Sequence, residues 1–203
     1  GTTVQLDSAD GIKQTTGGIL AKGLEVLEAS GTDADATGAG FTSTATVTLT
    51  SATNAVTNLA AARKSATTNV TMPFSYKDSN AIDVTTVTTA GITTGGGNVS
   101  VETVNGSLTV SQAINAGAGN VTLTTGETDA AIETATVSDI VLSNNVTGTT
   151  VKLDSADGIN QTTGGILATG LEVLAASGTD ADATGDGFTS TATVTLPSAI
   201  HTA

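Results

Sequence analysis

Residues 95–126 read GGGNVSVETVNGSLTVSQAINAGAGNVTLTTG, and three short apolar pairs stand out in them: Val99/Val101, Leu108/Val110 and Val121/Leu123. In each pair one polar residue separates two apolar ones, the period of a half-buried strand whose successive side chains face opposite sides. Between the pairs lie Asn105-Gly106 and Gly117-Ala118-Gly119-Asn120, residue types that accept the positive φ of sharp bends. The segment predicts strand, corner, strand, corner.

Working outward, pairs of the same kind recur at Val4/Leu6, Leu24/Val26, Val47/Leu49, Val70/Met72, near Val87, Leu108/Val110, near Ile132, Val151/Leu153, Leu171/Val173 and Val194/Leu196, at a mean step of about 21 residues. A second series intervenes at Ile82/Val84, Val99/Val101, Val121/Leu123 and Ile140/Leu142, with Ile19 and Phe41 as weaker members. Further corners fall at Gly17-Gly18, Gly95-Gly96-Gly97-Asn98 and Gly164-Gly165. Alternation is clearest from Phe41 to Thr50 and returns from Phe188 to Leu196. The best helix candidate, Ile19 to Ser30, is short and contains Gly23, so it is assigned to strand. A coil of two or more short strands cannot bury its apolar side alone and must stack on neighbours. The expectation is therefore an all-β parallel β-helix (β-solenoid) with coils of about 21 residues. A pair of Thr-rich β-sandwich modules is the runner-up, and the near-even spacing argues against it.

A longer period contains the short one. Gly1 to Ala52 matches Gly148 to Ala199 with six differences: Gln5/Lys152, Lys13/Asn160, Lys22/Thr169, Glu28/Ala175, Ala39/Asp186 and Thr50/Pro197. The expected organisation is one full repeat of about seven coils over residues 1–147, and the start of the next over 148–203, continuous with the same solenoid. The chain is expected to be a piece of something longer, and about ten coils spaced about 4.8 Å apart would make a rod of about 45 to 50 Å. The differences at Glu28/Ala175 and Ala39/Asp186 alter charge at positions expected to lie on the surface.

The stretch 95–126 resembles the coils of filamentous-haemagglutinin-type exoproteins and other giant bacterial adhesins, and the resemblance extends loosely over the whole chain. It implies a right-handed β-helical shaft on a secreted or surface-anchored bacterial protein.

Composition narrows the function. With three Phe, one Tyr and no Trp, burial must rest on Val, Ile, Leu, Ala and the abundant Thr, which suit narrow stacked interiors. A net charge of −13, with Arg63 the sole arginine, leaves no basic patch for nucleic acid and disfavours anionic membranes. No apolar run approaches the roughly 20 residues that span a bilayer. The absence of cysteine removes disulfides and thiolate metal sites. Six Asn-x-Ser/Thr triplets, at Asn69, Asn98, Asn105, Asn120, Asn145 and Asn160, are largely what so many Thr produce by chance.

The most specific local chemistry is the acidic loop Asp180, Asp182, Thr184, Gly185, Asp186, Gly187, answered in the first copy by Asp33, Asp35, Thr37, Gly38, Ala39 and Gly40. Oxygen ligands at alternate positions before a turn glycine open the EF-hand calcium pattern. The closing bidentate Glu is missing, with Thr44 and Thr191 in its place, so calcium on Asp33, Asp35, Thr37, Asp180, Asp182, Thr184 and Asp186 competes with a solvated Asx-rich turn. The Thr rows at 42–50 and 189–195 raise ice binding, but adjacent coils offer Val70-Thr71-Met72 and Leu24-Glu25-Val26 instead of matching Thr rows. Catalysis is not expected. The only histidine, His201, lies beyond the repeated region, and Asp7, Asp10, Glu25 and Glu28 are scattered over coils where hydrolysis would need clustered carboxylates. Gly17-Gly18 and Gly95 to Gly97 lack the Lys-Ser/Thr that makes a phosphate loop.

Two functions remain. One is a structural shaft segment of a large secreted or surface-anchored adhesin or extracellular filament, with end-to-end self-association or contact between neighbouring repeats through open coil edges. The other is an adhesive module that binds calcium, or a glycan or protein on another cell, through Ser30 to Gly40 and Ser177 to Gly187. Both place the chain outside a bacterium or on its surface.

Overall fold

The computed structural model describes residues 2–28, 43–64, 70–127, 138–175 and 194–196. Among them there is no helix, and every ladder joins parallel strands; the one antiparallel contact is an isolated bridge between Thr86 and Ala90. In chain order the strands are β1 (Thr3–Ser8), β2 (Gly11–Lys13), β3 (Leu20–Glu28), β4 (Ser43–Thr44), β5 (Thr46–Leu49), β6 (Ala55–Arg63), β7 (Val70–Thr71), β8 (Phe74–Asp78), β9 (Ile82–Val84), β10 (Ile92–Thr93) and β11 (Val99–Thr103). They continue as β12 (Leu108–Val110), β13 (Ile114–Asn115), β14 (Val121–Thr125), β15 (Ile140–Leu142), β16 (Val146–Thr147), β17 (Thr150–Ser155), β18 (Ile159–Gln161), β19 (Ile166–Leu167), β20 (Gly170–Ala175) and β21 (Val194–Thr195).

A seven-stranded sheet stacks β2, β5, β8, β11, β14, β17 and β20 in that order. Its register aligns like with like: Val47 on Phe74, Phe74 on Val99, Val99 on Val121, Val121 on Val151 and Val151 on Leu171. Two residues on, Leu49, Tyr76, Val101, Leu123 and Leu153 form a second buried row. A twelve-stranded sheet faces it. The nine-residue β6 pairs on one side with β3, and on the other with both β9 and β10. From there two columns run in parallel, β9-β12-β15-β18-β21 and β10-β13-β16-β19. Buried residues of both sheets belong to one hydrophobic core, and each fully covered Leu, Ile or Val contributes about 1.5–3 kcal/mol.

Most of the expected strands that fall within the described residues are present, including β3 in place of the helix candidate, and Val47/Leu49, Val99/Val101, Leu108/Val110, Val121/Leu123 and Ile140/Leu142 are inward, but the expected columns are not formed. Val4/Leu6, Leu24/Val26, Leu108/Val110 and Val194 lie in the twelve-stranded sheet, whereas Val47/Leu49, Val151/Leu153 and Leu171/Val173 lie in the seven-stranded one. Nor is the step a uniform 21. Stacked partners are 20 residues apart at Val151 and Leu171, 22 at Val99 and Val121, 25 at Phe74 and Val99, 30 at Val121 and Val151, and 35 at Ile12 and Val47. Alternation fixes which face of a strand is buried but not which strand it pairs with, and connections of unequal length absorb the difference. Near Val87 there is no strand but a loop closed by the Thr86–Ala90 bridge, and Ile132 lies outside the described residues.

The two sequence copies make the same internal pairs in opposite sheets. Val4 stacks on Leu24 as Val151 does on Leu171, and Ile12 on Val47 as Ile159 does on Val194. Yet β1–β3 belongs to the twelve-stranded sheet and β17–β20 to the seven-stranded one, while β2–β5 and β18–β21 are exchanged the other way. Local register therefore travels with the sequence, and the sheet it serves depends on where the coil has reached. The expectation that Glu28 lies on the surface is corrected: it is fully buried, on the inward parity of Leu24 and Val26, and in register with Arg63 on β6. Its counterpart in the second copy is Ala175.

A recurrent corner joins the layers. A polar side chain donates to the carbonyl of the glycine three residues on: Ser8 to Gly11 (2.9 Å), Gln14 to Gly17 (2.9 Å), Thr103 to Gly106 (2.6 Å), Ser155 to Gly158 (2.8 Å) and Gln161 to Gly164 (2.8 Å). The bond gives the carbonyl at the bend a side-chain donor, and that of Gly158 accepts Ile140 N–H from the adjacent layer as well, at 2.9 Å.

Candidate functional site

The acidic-loop residues Asp33, Asp35, Thr37, Asp180, Asp182, Thr184 and Asp186 lie outside the described residues, as does His201. Among the described residues, no group of three or more His, Cys, Asp or Glu side chains is arranged to hold a metal.

Glu25, Asp78 and Asp157 accept specific donors of the fold. Glu25, on the outward face of β3, is covered by the loop at 85–91 and accepts Thr89 N–H at 2.7 Å and the Gln5 amide at 2.6 Å. Burial pushes its pKa up, but the bonds from Thr89, Gln5 and Thr88 outweigh burial and hold it below the usual value. Asp78, at the end of β8, is fully buried and accepts Tyr76 Oη at 2.6 Å, Val56 N–H at 2.9 Å and Asn80 N–H at 2.9 Å. Here burial outweighs the bonds and raises the pKa, and burial together with Asp78 raises that of Tyr76. Asp139 is raised by burial and by Asp157, and Asp157 itself accepts Ser138 N–H at 2.7 Å. These groups tie strands and corners together, and they lie in separate layers.

Asn54 is a further buried polar junction. Its amide accepts Ile19 N–H and the Gln14 amide, both at 2.8 Å, and donates to the carbonyls of Leu49 at 3.1 Å and Lys77 at 2.9 Å. Asn98, Asn120 and Asn145 act similarly at the corners, each accepting a backbone N–H from the next layer: Asn120, Thr150 and Gly165 respectively. The signal for these was the asparagine immediately before each strand, in Asn98-Val99, Asn120-Val121 and Asn145-Val146, which the triplet reading attributed to chance.

On the solvent side of the seven-stranded sheet the rows read Thr46/Thr48, Ser75/Lys77, Ser100/Glu102, Thr122/Thr124 and Lys152/Asp154. Charged residues interrupt the Thr rows, and Lys77 pairs with Glu102 across adjacent strands at 2.6 Å. A shallow groove is lined by Gly117, Thr147, Thr149, Leu167 and Thr169, but the Thr149 and Thr169 hydroxyls already donate to carbonyls of the preceding layer.

Among the described residues β1 pairs only with β3 and β2 only with β5; at the far end β20 pairs only with β17 and β21 only with β18. The large apolar side chains left exposed are Leu20 at 75% and Val194 at 44%. Leu20 is on β3, which lies between β1 and β6 and pairs there with Ala55, and Val194 is on β21.

Compared with known proteins, the sequence matches no family model, and neither a curated relative nor a solved structure matches the chain.

Proposed function

We propose that the chain is a length of right-handed parallel β-helix (β-solenoid) serving as a shaft segment in a large, secreted or surface-anchored, repetitive bacterial adhesin or extracellular filament. The observation that carries this reading is the in-register stack of the seven-stranded sheet, in which the same two inward rows continue from Val47/Leu49 to Leu171/Val173 without a change of face. A fold of this kind spreads its stability over nearest-neighbour layers. That suits a spacer, whose function is length and stiffness rather than one site. The carboxylates of Glu25 and Asp78, bonded in separate places to donors of the fold, and the hydroxyls committed to neighbouring layers are consistent with the same role, and an acidic surface keeps such a rod soluble.

Small-angle X-ray scattering of the chain tests the reading. Seven layers at about 4.8 Å predict a stacked body about 30–35 Å along the coil axis, and addition of a further 147-residue repeat should lengthen it at constant cross-section. Growth in all directions on adding a repeat would overturn it.

A further inference from the structure

We infer, resting on the shaft reading, that the 147-residue repeat is not a whole number of coils, so that equivalent residues of the two copies face opposite sides of the shaft. A surface that one copy turns outward on the seven-stranded sheet is turned outward by the other copy on the twelve-stranded one.

The ladder between the copies is unbroken. In the seven-stranded sheet β2 and β17 are joined by five steps, β2-β5-β8-β11-β14-β17. β17, however, is the copy of β1, and the copy of β2 is β18, which the chain reaches only after crossing to the twelve-stranded sheet. From β2 to its copy the stack therefore advances by five layers and the passage from one sheet to the other. The remaining strands agree. β3 lies one step beyond β1 in the twelve-stranded sheet, and its copy β20 lies one step beyond β17 in the seven-stranded one; β5 and its copy β21 follow β2 and β18 in the same way. Each copied pair keeps its own register, so no slip of pairing produces the fraction.

Side chains that differ between the copies suit the two placements. Gln5, on β1, donates at 2.6 Å to Glu25, which the loop at 85–91 covers. Its counterpart Lys152 lies 3.5 Å from Asp154 and in register with the exposed Glu172. Glu28 is buried in register with Arg63, whereas its counterpart Ala175 is in register with Ser155.

A solenoid whose repeat is a whole number of coils gathers equivalent residues on one side, and a one-sided binding face results. A fractional repeat divides them. Lys13 is exposed on the seven-stranded sheet, and its counterpart Asn160 is exposed on the twelve-stranded one. Any contact that the repeated surface makes is thereby offered on both sides of the shaft.

Pulsed electron paramagnetic resonance distances between nitroxide labels on double-cysteine variants of the full chain test this, and the absence of native cysteine leaves no competing site. Lys13→Cys with Lys152→Cys marks one column of the seven-stranded sheet across five steps, about 24 Å at the spacing of adjacent strands. Lys13→Cys with Asn160→Cys marks equivalent residues. Its distance should be longer by about 10 Å, because the sheets are about 10 Å apart and the labels project away from each other. A whole-number repeat predicts the reverse order. Thr48→Cys with Glu172→Cys, against Thr48→Cys with Thr195→Cys, repeats the comparison where the first set weakens the fold. The reverse order, or equal distances, overturns the inference and leaves the shaft reading standing. Same-sheet pairs closer than about 15 Å would mean that the layers are not stacked along one axis, and would sink the shaft reading as well.

Discussion

Tyr76 donates a 2.6 Å hydrogen bond to Asp78, two residues along the same strand, and both side chains are sealed in the interior. Burial raises the pKa of Asp78, and the Tyr76 bond is the foremost of the contacts that oppose the rise. A carboxylate whose pKa rises on folding holds its proton more tightly in the native state, so its effect on stability becomes less favourable as pH climbs from the unfolded value through the raised one. Tyr76→Phe removes the opposing bond and makes that loss larger. We expect the variant to be destabilised by about 1.5–3 kcal/mol where Asp78 is ionised. The deficit should shrink as pH falls and Asp78 takes up its proton. Thermal melts at about pH 8 and about pH 4 measure this, and an equal deficit at both would show that the bond is not charge-assisted.

How much of this was legible in the sequence depends on what each signal encodes. The i, i+2 pairs correctly marked Val99/Val101, Leu108/Val110, Val121/Leu123 and Ile140/Leu142 as inward, because alternation is a property of the strand alone. The Gly-rich corners were equally local: Gly17, Gly95, Gly96, Gly106, Gly117 and Gly164 all have positive φ. Pairing is not local. Nothing within β6 announces that it will meet both β9 and β10, and the loop that buries Glu25 lies more than sixty residues away from it. Phe74/Tyr76 went unnoticed as a member of the main stack because aromatic residues are rare here. The buried polar junctions were missed because one asparagine or threonine looks like any other until its layer neighbours are known. The acidic loops, the most specific motif in the chain, fall outside the described residues.

Glu25 and Glu172 are sequence counterparts in different surroundings, and they should respond differently to the same change. Glu25 is buried and accepts bonds from Thr89 and Gln5, whereas Glu172 is exposed. Because the folded pKa of Glu25 lies below its ordinary value, its contribution is present above that value and disappears as pH falls through the lowered one. Glu25→Gln should cost about 1–3 kcal/mol near neutral pH and speed amide exchange in the 85–91 loop. Glu172→Gln should stay within about 0.5 kcal/mol of wild type. Equal costs in denaturant titrations would mean that the loop does not depend on the carboxylate.

Asn54 joins three layers through Gln14, Leu49 and Lys77. Asn54→Ala strands the Ile19 N–H and two carbonyls in the interior, each at a cost of about 1–3 kcal/mol, so a total loss of at least about 3 kcal/mol is expected. Asn98→Ala removes one acceptor at an exposed corner and should cost about 1 kcal/mol. Urea titration of the pair separates a junction from a cap, and comparable losses would contradict the assignment.

Gly17 and Gly164 occupy the same position in the two copies and share a backbone conformation, with φ of +76° and +74°, yet they have different neighbours. A Cβ on Gly17 would meet nothing within 4 Å, whereas one on Gly164 would lie 2.4 Å from the carbonyl carbon of Asn144 in the preceding layer. Gly17→Ala should therefore cost only the left-handed backbone, about 1–2 kcal/mol. Gly164→Ala carries that penalty and must also push two layers apart, which adds about 1–3 kcal/mol of overpacking. The difference between the two melting temperatures isolates the contribution of stacking from that of the bend, because sequence and φ are matched. If the two substitutions cost the same, the close approach of Gly164 to Asn144 is not a feature of the folded stack.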